Sequence, residues 1–364
     1  MYRLRHSGRW LRARGIVIVL VAILVAACSA ASGPASNLPS SAPATSAAIP
    51  SPTASVAASP SESVAAFPLS LTDDDGTAVT IPAEPRKIVS LTPAATETLF
   101  ALGLGDRVLG KVDDPADFPP EAHSVPLVGP FDKIDVEKIV GLGSDLVIAG
   151  GSGGTPPDAI QRLRSLGIPV LVIYAADVDG VRHDLELTGA AAGRGGAAKD
   201  LSASMQAGFD QVAAATRDLH RPRVFYETGD QPAIYGIADD SFPASMIRLA
   251  GGEPITTGSA TNWEQSSEKL IAADPELILL GDAAYGVTAA KVAARPGWKV
   301  MTAVRQKAIV GVDDIVITRP GPRLVQGLQA LARAIHPDAA LPSASSPAAS
   351  GAAPSATASG VSGY

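Results

Sequence analysis

The sequence predicts an α/β protein of two lobes, each with a parallel sheet, joined by one long helix with a cleft between them. Three observations predict it. The first is an internal echo: residues 137–150 read Glu-Lys-Ile-Val-Gly-Leu-Gly-Ser-Asp-Leu-Val-Ile-Ala-Gly, and residues 268–281 read Glu-Lys-Leu-Ile-Ala-Ala-Asp-Pro-Glu-Leu-Ile-Leu-Leu-Gly, in register without a gap. Each copy is an acidic residue, a short apolar helical segment, a turn and a buried strand ending in glycine. Solenoid repeats recur every roughly 20–50 residues, so copies this far apart fit two similar lobes instead. The second observation is the alternation of short apolar runs with helical stretches, the pattern of a parallel sheet covered on both faces. The third is the stripe Leu201, Met205, Phe209, Val212, Thr216 and Leu219, at steps of three and four. It predicts a helix over 197–219, roughly 30–35 Å long at about 1.5 Å per residue, which is enough to run from lobe to lobe.

The chain opens with Arg3, Arg5, Arg9, Arg12 and Arg14, then an uncharged apolar run from Ile16 to Ala27. That run is short for a membrane span, which takes about 20 apolar residues. Residues 1–27 therefore read as a signal segment, set aside from the fold. It ends in Leu24-Val25-Ala26-Ala27-Cys28, and Cys28 is the only cysteine, so the folded part has no disulfide. The alternative is an uncleaved anchor; in both cases the bulk of the chain sits outside the cytoplasm, tethered to a membrane. Residues 28–66 and 339–364 are rich in Ser, Ala and Pro, too poor in large apolar side chains to offset their ordering entropy. Net charge is −7, which argues against a nucleic-acid partner.

Residues 67–338 remain for the fold. Lys87–Leu91 suits a buried strand, and Thr92 caps a helix with Pro93 at its first position. Strands follow at 108–112 and 146–149, with a loop rich in Asp and Pro at 113–126. An amphipathic helix is predicted at 157–166 and a strand at 170–174. After the long helix, strands are predicted near 223–227, 277–280 and 308–312. The last helix begins after Arg319-Pro-Gly-Pro-Arg323 and ends near His336, with Arg323 anchoring its start. The division this predicts is a first lobe over 67–192, a linking helix over 193–220 and a second lobe over 221–338.

Several strings stand in one order: Pro85-Arg-Lys-Ile-Val-Ser-Leu-Thr-Pro-Ala-Ala-Thr-Glu97, Asp117-Phe-Pro-Pro-Glu121, Val136-Glu-Lys-Ile-Val140, Asp145-Leu-Val-Ile148, Leu249-Ala-Gly-Gly252 and Arg319-Pro-Gly-Pro-Arg323. Together they resemble the substrate-binding proteins of ABC importers for iron chelates, haem and cobalamin, over about residues 84–338. Leu24–Cys28 is similar to the lipobox of bacterial lipoproteins, in which the cysteine sulfur is lipidated. The resemblance implies a class III periplasmic binding protein, with two Rossmann-like lobes on a rigid helix that limits lobe closure to a small hinge. It implies a monomer that carries a metal chelate or corrinoid to a permease and ATPase, with no cofactor of its own. Glu137 and Glu268 match the family's docking acids, which pair with permease arginines. Acidic residues in a helix's first turn also favour its macrodipole by roughly 0.3–1 kcal/mol.

Ligands of open α/β sheets bind at strand ends. On the first lobe this points to Thr92, Pro93 and Ala94, to the loop from Asp114 to Phe118, and to Phe131. On the second it points to Tyr226, Thr228, Trp263, Asp314 and Arg319. Phe131 and Trp263 lie near where the cobalamin-binding relative carries tryptophans, and Arg319 matches an arginine that approaches ligand. A planar chelate wants aromatic walls and a cation for acidic groups. Gly150 and Thr228 stand where that relative has aromatic residues, and only 4% of this chain is aromatic. A ferric siderophore and a corrinoid both stay open. A tight haem site needs a Tyr or His axial ligand, and none is clearly placed.

The same residues bear on other classes. Gly150-Gly-Ser-Gly-Gly154 fits G-x-S-x-G, but Thr155-Pro-Pro157 separates Ser152 from any helix, unlike an esterase elbow. A receptor for free metal would need converging histidines and carboxylates; His123, His183, His220 and His336 have no ligand-like spacing. A sensory or adhesive lipoprotein without a transporter fits the same ends of the chain.

Overall fold

The structure, a computed structural model, describes residues 66–341 except Phe131, Ser152 and Gly153. Cys28, the signal segment, residues 28–65 of the tether and residues 342–364 of the tail lie outside the described residues. A hairpin of β1 (Leu69–Thr72) and β2 (Ala78–Ile81) comes first. The first lobe follows in chain order as β3 (Ile88–Ser90), α1 (Pro93–Ala101), β4 (Val108–Lys111), α2 (Val136–Gly141), β5 (Leu146–Gly150), α3 (Pro157–Ser165), β6 (Val170–Ile173) and α4 (Val178–Ala191). Next is α5 (Gly195–Thr216). The second lobe contains β7 (Arg223–Glu227), α6 (Phe242–Leu249), β8 (Glu253–Pro254), α7 (Ser267–Ala273), β9 (Leu277–Leu280), α8 (Ala289–Ala293), α9 (Thr302–Arg305), β10 (Ile309–Gly311), α10 (Asp314–Thr318) and α11 (Leu324–Ile335).

Both sheets are parallel throughout, in the orders β4-β3-β5-β6 and β10-β9-β7-β8. In each lobe the first strand in sequence pairs with the second and third, and the third with the fourth. The two lobes are thus one plan used twice, and the internal echo falls on α2–β5 and α7–β9. Every residue of β5 and β9 is buried, as continuous apolar runs require when helices cover both faces.

Helix α5 buries Met205, Phe209, Val212 and Thr216 along the predicted stripe. Leu219 lies beyond the helix end and is 37% exposed, because the helix stops at Thr216. Two glycines let α5 approach its neighbours closely. A Cβ at Gly189 on α4 would sit 2.2 Å from the Cβ of Ala198, and one at Gly208 on α5 would sit 2.5 Å from Val325 on α11. One helix therefore packs tightly against the first lobe near its start and against the second in its latter half. A single apolar core runs through it, including Ile88 and Leu146 on one side and Val224 and Leu328 on the other.

The hairpin β1–β2 was not expected. Its Asp73 has a buried carboxylate that accepts from the Thr77 N–H (2.8 Å) and the Arg164 guanidinium (2.5 Å), while the Asp74 N–H donates to the Val172 carbonyl. This fastens the turn to β6. Helix α4, the short strand β8 and helices α6 and α8–α10 are likewise additions to the sequence reading.

Candidate ligand cleft

The carboxyl ends of β3, β5 and β6 face α10 of the second lobe across a cavity of about 460 Å³. That volume lies within the roughly 300–1,000 Å³ of small-molecule sites. Thr92, Pro93 and Ala94 line it where β3 passes into α1. Gly150, Gly151 and Gly154 line it after β5, and Ile173, Tyr174 and Ala175 after β6. The opposite wall is Ile315, Thr318, Arg319 and Pro320, and Asp184 of α4 completes the lining. Thr92 holds its place because it caps α1, its Oγ1 accepting from the Ala95 N–H at 3.0 Å. Its methyl lies against Gly150, where an added Cβ would stand 2.7 Å from it.

Charged groups from both lobes meet beside the cavity. Arg319 donates from Nη1 to Glu97 Oε1 (2.7 Å) and Asp114 Oδ2 (2.9 Å), and from Nη2 to Asp114 Oδ1 (2.7 Å). Arg323 donates from Nε to Glu97 Oε2 (3.0 Å) and from Nη2 to Oε1 (2.7 Å). Its guanidinium also lies 3.6 Å from the centre of the Phe118 ring. Burial pushes the Asp114 carboxyl up, but the Arg319 bonds and the Ala116 N–H outweigh it and hold the group below its ordinary range. Asp114 and Phe118 thus hold arginines from the other lobe. Asp114 is buried, and neither residue is among those lining the cavity, although the sequence places both in the ligand cleft. Arg323 does stand at the start of α11, as expected, and reaches across to Glu97 as well.

Tyr226 and Asp314 are hydrogen-bonded to each other. Tyr226 has no exposed surface, and its hydroxyl donates to Asp314 Oδ1 at 2.5 Å. Burial and the neighbouring Asp314 raise the phenol's pKa, so it stays a donor. Neither Tyr226 nor Asp314 is among the residues lining the cavity. Thr228 donates to the Gly236 carbonyl, and the Trp263 carbonyl accepts from the Gly236 N–H; both residues sit on the loops that join at Tyr235. Trp263 is 37% exposed. Phe131 lies outside the described residues.

Sequence reasoning missed several groups. Tyr174 lines the cavity and is 52% exposed, the phenol that the sequence left unplaced. Asp184 is buried, and its Oδ1 has no hydrogen-bond partner. Burial, then the Asp74 carboxyl beside it, push its pKa up to about 9. On the second lobe Arg295 grips Glu227 through two bonds of 2.6 and 2.7 Å and reaches Asp230 at 3.3 Å. Asp282 is buried nearby, with neither carboxyl oxygen bonded; burial and then Glu227 push it up to about 6. Only contacts between distant segments would have revealed these groups.

Glu137 and Glu268 stand in the first turns of α2 and α7, both exposed. Asp135 and Ser266 cap those helices, accepting from the Lys138 and Lys269 N–H groups. Glu137 has one loose ion pair, with Arg162 at 3.7 Å. The histidines are dispersed: His123 meets Asp117, His183 lies 3.9 Å from Asp74, His220 meets Glu276 and His336 meets the Gly251 carbonyl. Ser152 lies outside the described residues; the Thr155 N–H donates to the Gly150 carbonyl before α3 begins.

Twin parallel-sheet lobes on one helix, with a cavity between strand ends and the facing lobe, define the class of two-lobed binding proteins. Residues 88–316 match the family model described as periplasmic binding protein, and the chain belongs to that family, among the substrate-binding proteins of ABC importers. It is 34% identical over 278 residues to an ABC transporter substrate-binding lipoprotein of Bacillus subtilis, covering 75% of this chain and 87% of that one. It is 32% identical over 281 residues to a cobalamin-binding protein of Halobacterium salinarum, covering 74% of each. Among solved structures it is similar to a periplasmic haem-binding protein from Roseiflexus in apo form, with a TM-score of 0.61 and 27% identity, covering 69% of this chain and 98% of that one. These relatives are binding proteins. Among the described residues, no helix is long and apolar enough to cross a membrane.

Proposed function

We propose that the chain captures an uncharged corrinoid outside the cytoplasm and delivers it to the permease and ATPase of an ABC importer, without catalysis. The observation that carries the choice of ligand is the state of Arg319. Among the described residues lining the cavity it is the one cation, and two buried carboxylates already neutralise it. An acidic ligand would have to compete with Glu97 and Asp114 for it; a neutral ring with amide arms would not. The name of the 32%-identical relative supports this reading. Thr92, Pro93, Ala94 and Arg319 would contact the ligand, with Thr228 and Trp263 at the second-lobe rim. Cys28 would carry the lipid anchor, and the lobes would divide at 67–192 and 221–338 about a linking helix at 193–220, in a monomer. Glu137 and Glu268 would dock the permease.

Tyr174 favours a second reading. A half-exposed phenol on the cavity wall is a possible axial oxygen for haem iron. Calorimetry of the whole chain with cyanocobalamin, hemin and a ferric hydroxamate siderophore separates the readings. Binding of cyanocobalamin at micromolar level or below, with weaker hemin, is the expected result. Tight hemin binding lost in Tyr174→Phe would replace it with the haem reading.

A further inference from the structure

Asp184 lines the cleft from α4, and its surroundings are unusual for an acid. Its Oδ1 is buried and meets no donor. The side chain it interacts with is another carboxyl, Asp74, in the turn between β1 and β2. Asp74 is itself committed: its Oδ2 accepts from the Tyr174 N–H at 2.5 Å, and its Oδ1 lies 3.9 Å from the exposed His183 imidazole. Asp74 keeps 18% of its side chain exposed while Asp184 is buried; with one of two neighbouring carboxyls desolvated, the two do not both ionise readily, and one holds a proton between them. Asp184, 6% exposed, is the more deeply buried partner and the one whose charged form has no compensating donor.

We propose that the Asp74–Asp184 pair is a specificity-determining contact of the cleft, in which Asp184 gives its proton-bearing oxygen to Asp74 and offers its other oxygen, Oδ2, to an amide N–H of the ligand. The inference rests on the reading of the ligand as an uncharged corrinoid, whose rim carries primary amides. A neutral carboxyl in this position accepts from an amide N–H and does not repel the ring. Towards a ligand carboxylate it offers an acceptor against an acceptor. The pair would therefore select amide-bearing rings over acidic ones, in the same sense as the neutralised Arg319 on the opposite wall.

The closing experiment has two arms on the full chain. In the first, carboxyl carbon resonances of labelled aspartate are followed through a pH titration, with Asp184→Asn assigning the signal. Asp184 should be neutral at neutral pH in the wild type, and its titration should move to lower pH in Asp74→Asn. A wild-type Asp184 ionised at neutral pH overturns the proposal whatever the ligand. In the second arm, cyanocobalamin and hemin are titrated into the wild type, Asp184→Asn and Asp184→Leu. Asparagine can donate to Asp74 and still present a carbonyl oxygen, so its affinity should stay within about threefold. Leucine should lose about tenfold, the scale of one hydrogen bond with a neutral partner. Cyanocobalamin bound equally by all three overturns the contact alone. Hemin taken and cyanocobalamin refused by the wild type overturns the corrinoid reading and the amide contact with it.

Discussion

Replacing Arg319 with alanine would leave the Asp114 carboxylate, 3% exposed at its side chain, without the counter-charge that holds it. Breaking a buried ion pair from one side typically costs about 3–5 kcal/mol, because the remaining charge stays desolvated. Arg319→Ala should lose stability on that scale in urea denaturation at neutral pH. The pH dependence follows from the direction of the Asp114 shift. Its folded pKa is depressed, so its contribution is fully present above the unfolded carboxylate range and is lost as pH falls through the folded value. The gap between Arg319→Ala and wild type should therefore narrow below about pH 4. Asp184 acts in the opposite sense. Its folded pKa is raised to about 9, so the folded state keeps a proton that the unfolded chain releases above its ordinary value of about 3.9. Stability from this group falls as pH rises through that window. Asp184→Asn removes the loss, and its melting temperature should exceed that of the wild type by a margin that widens from pH 5 to pH 9. A constant margin would mean that Asp184 is ionised in the fold.

Thr92 ties one element to the site. Its hydroxyl caps α1 and its methyl touches Gly150, so the start of the helix and the cavity wall depend on one side chain. Thr92→Ala should cost about 1 kcal/mol in the urea midpoint, the usual loss of a cap, while Thr92→Ser keeps the oxygen and should cost much less. Equal losses would assign the effect to the methyl group instead. Elements such as α1 were legible because their signals are local: a capping threonine, a proline at the first position, a continuous apolar strand beforehand. Helix α4 was not, because Gly180, Gly189 and the buried Asp184 break its apolar pattern. Those residues answer to neighbours, Gly189 to the close approach of Ala198 and Asp184 to the cavity. The strand β8, two residues long, has no period to read. At the site the same division holds. Thr92 and Arg319 were legible as residues at strand and helix junctions. That Arg319 is already bound to Glu97, 222 positions away, was not, and that pairing changes the ligand it favours.

At the scale of the whole molecule, the repeated lobe gives Glu137 and Glu268 equivalent places, each exposed in the first turn of a capped helix ahead of a central strand. The helices need these acids little. Asp135 and Ser266 already satisfy the first turns, and an exposed acid near the dipole adds only roughly 0.3–1 kcal/mol. Neither glutamate lines the cavity. Helix α5, packed closely on α4 and α11, joins the lobes, and the Arg319 and Arg323 bridges tie them again beside the cleft. On the proposed docking reading, a receptor braced at two places would present its two acids to the permease at a nearly constant spacing. Charge pairs at such a surface govern orientation and association rate more than the affinity for cargo. Glu137→Ala combined with Glu268→Ala should accordingly leave cyanocobalamin affinity within about twofold in calorimetry and melting temperature nearly unchanged. Uptake by cells, or stimulation of the importer's ATPase in vesicles, should fall at least tenfold in the double variant, and each single variant should show a shallower salt dependence than the wild type, because less electrostatic attraction is left to screen. Loss of cargo affinity in the double variant would place these residues in the binding cleft and remove them from docking.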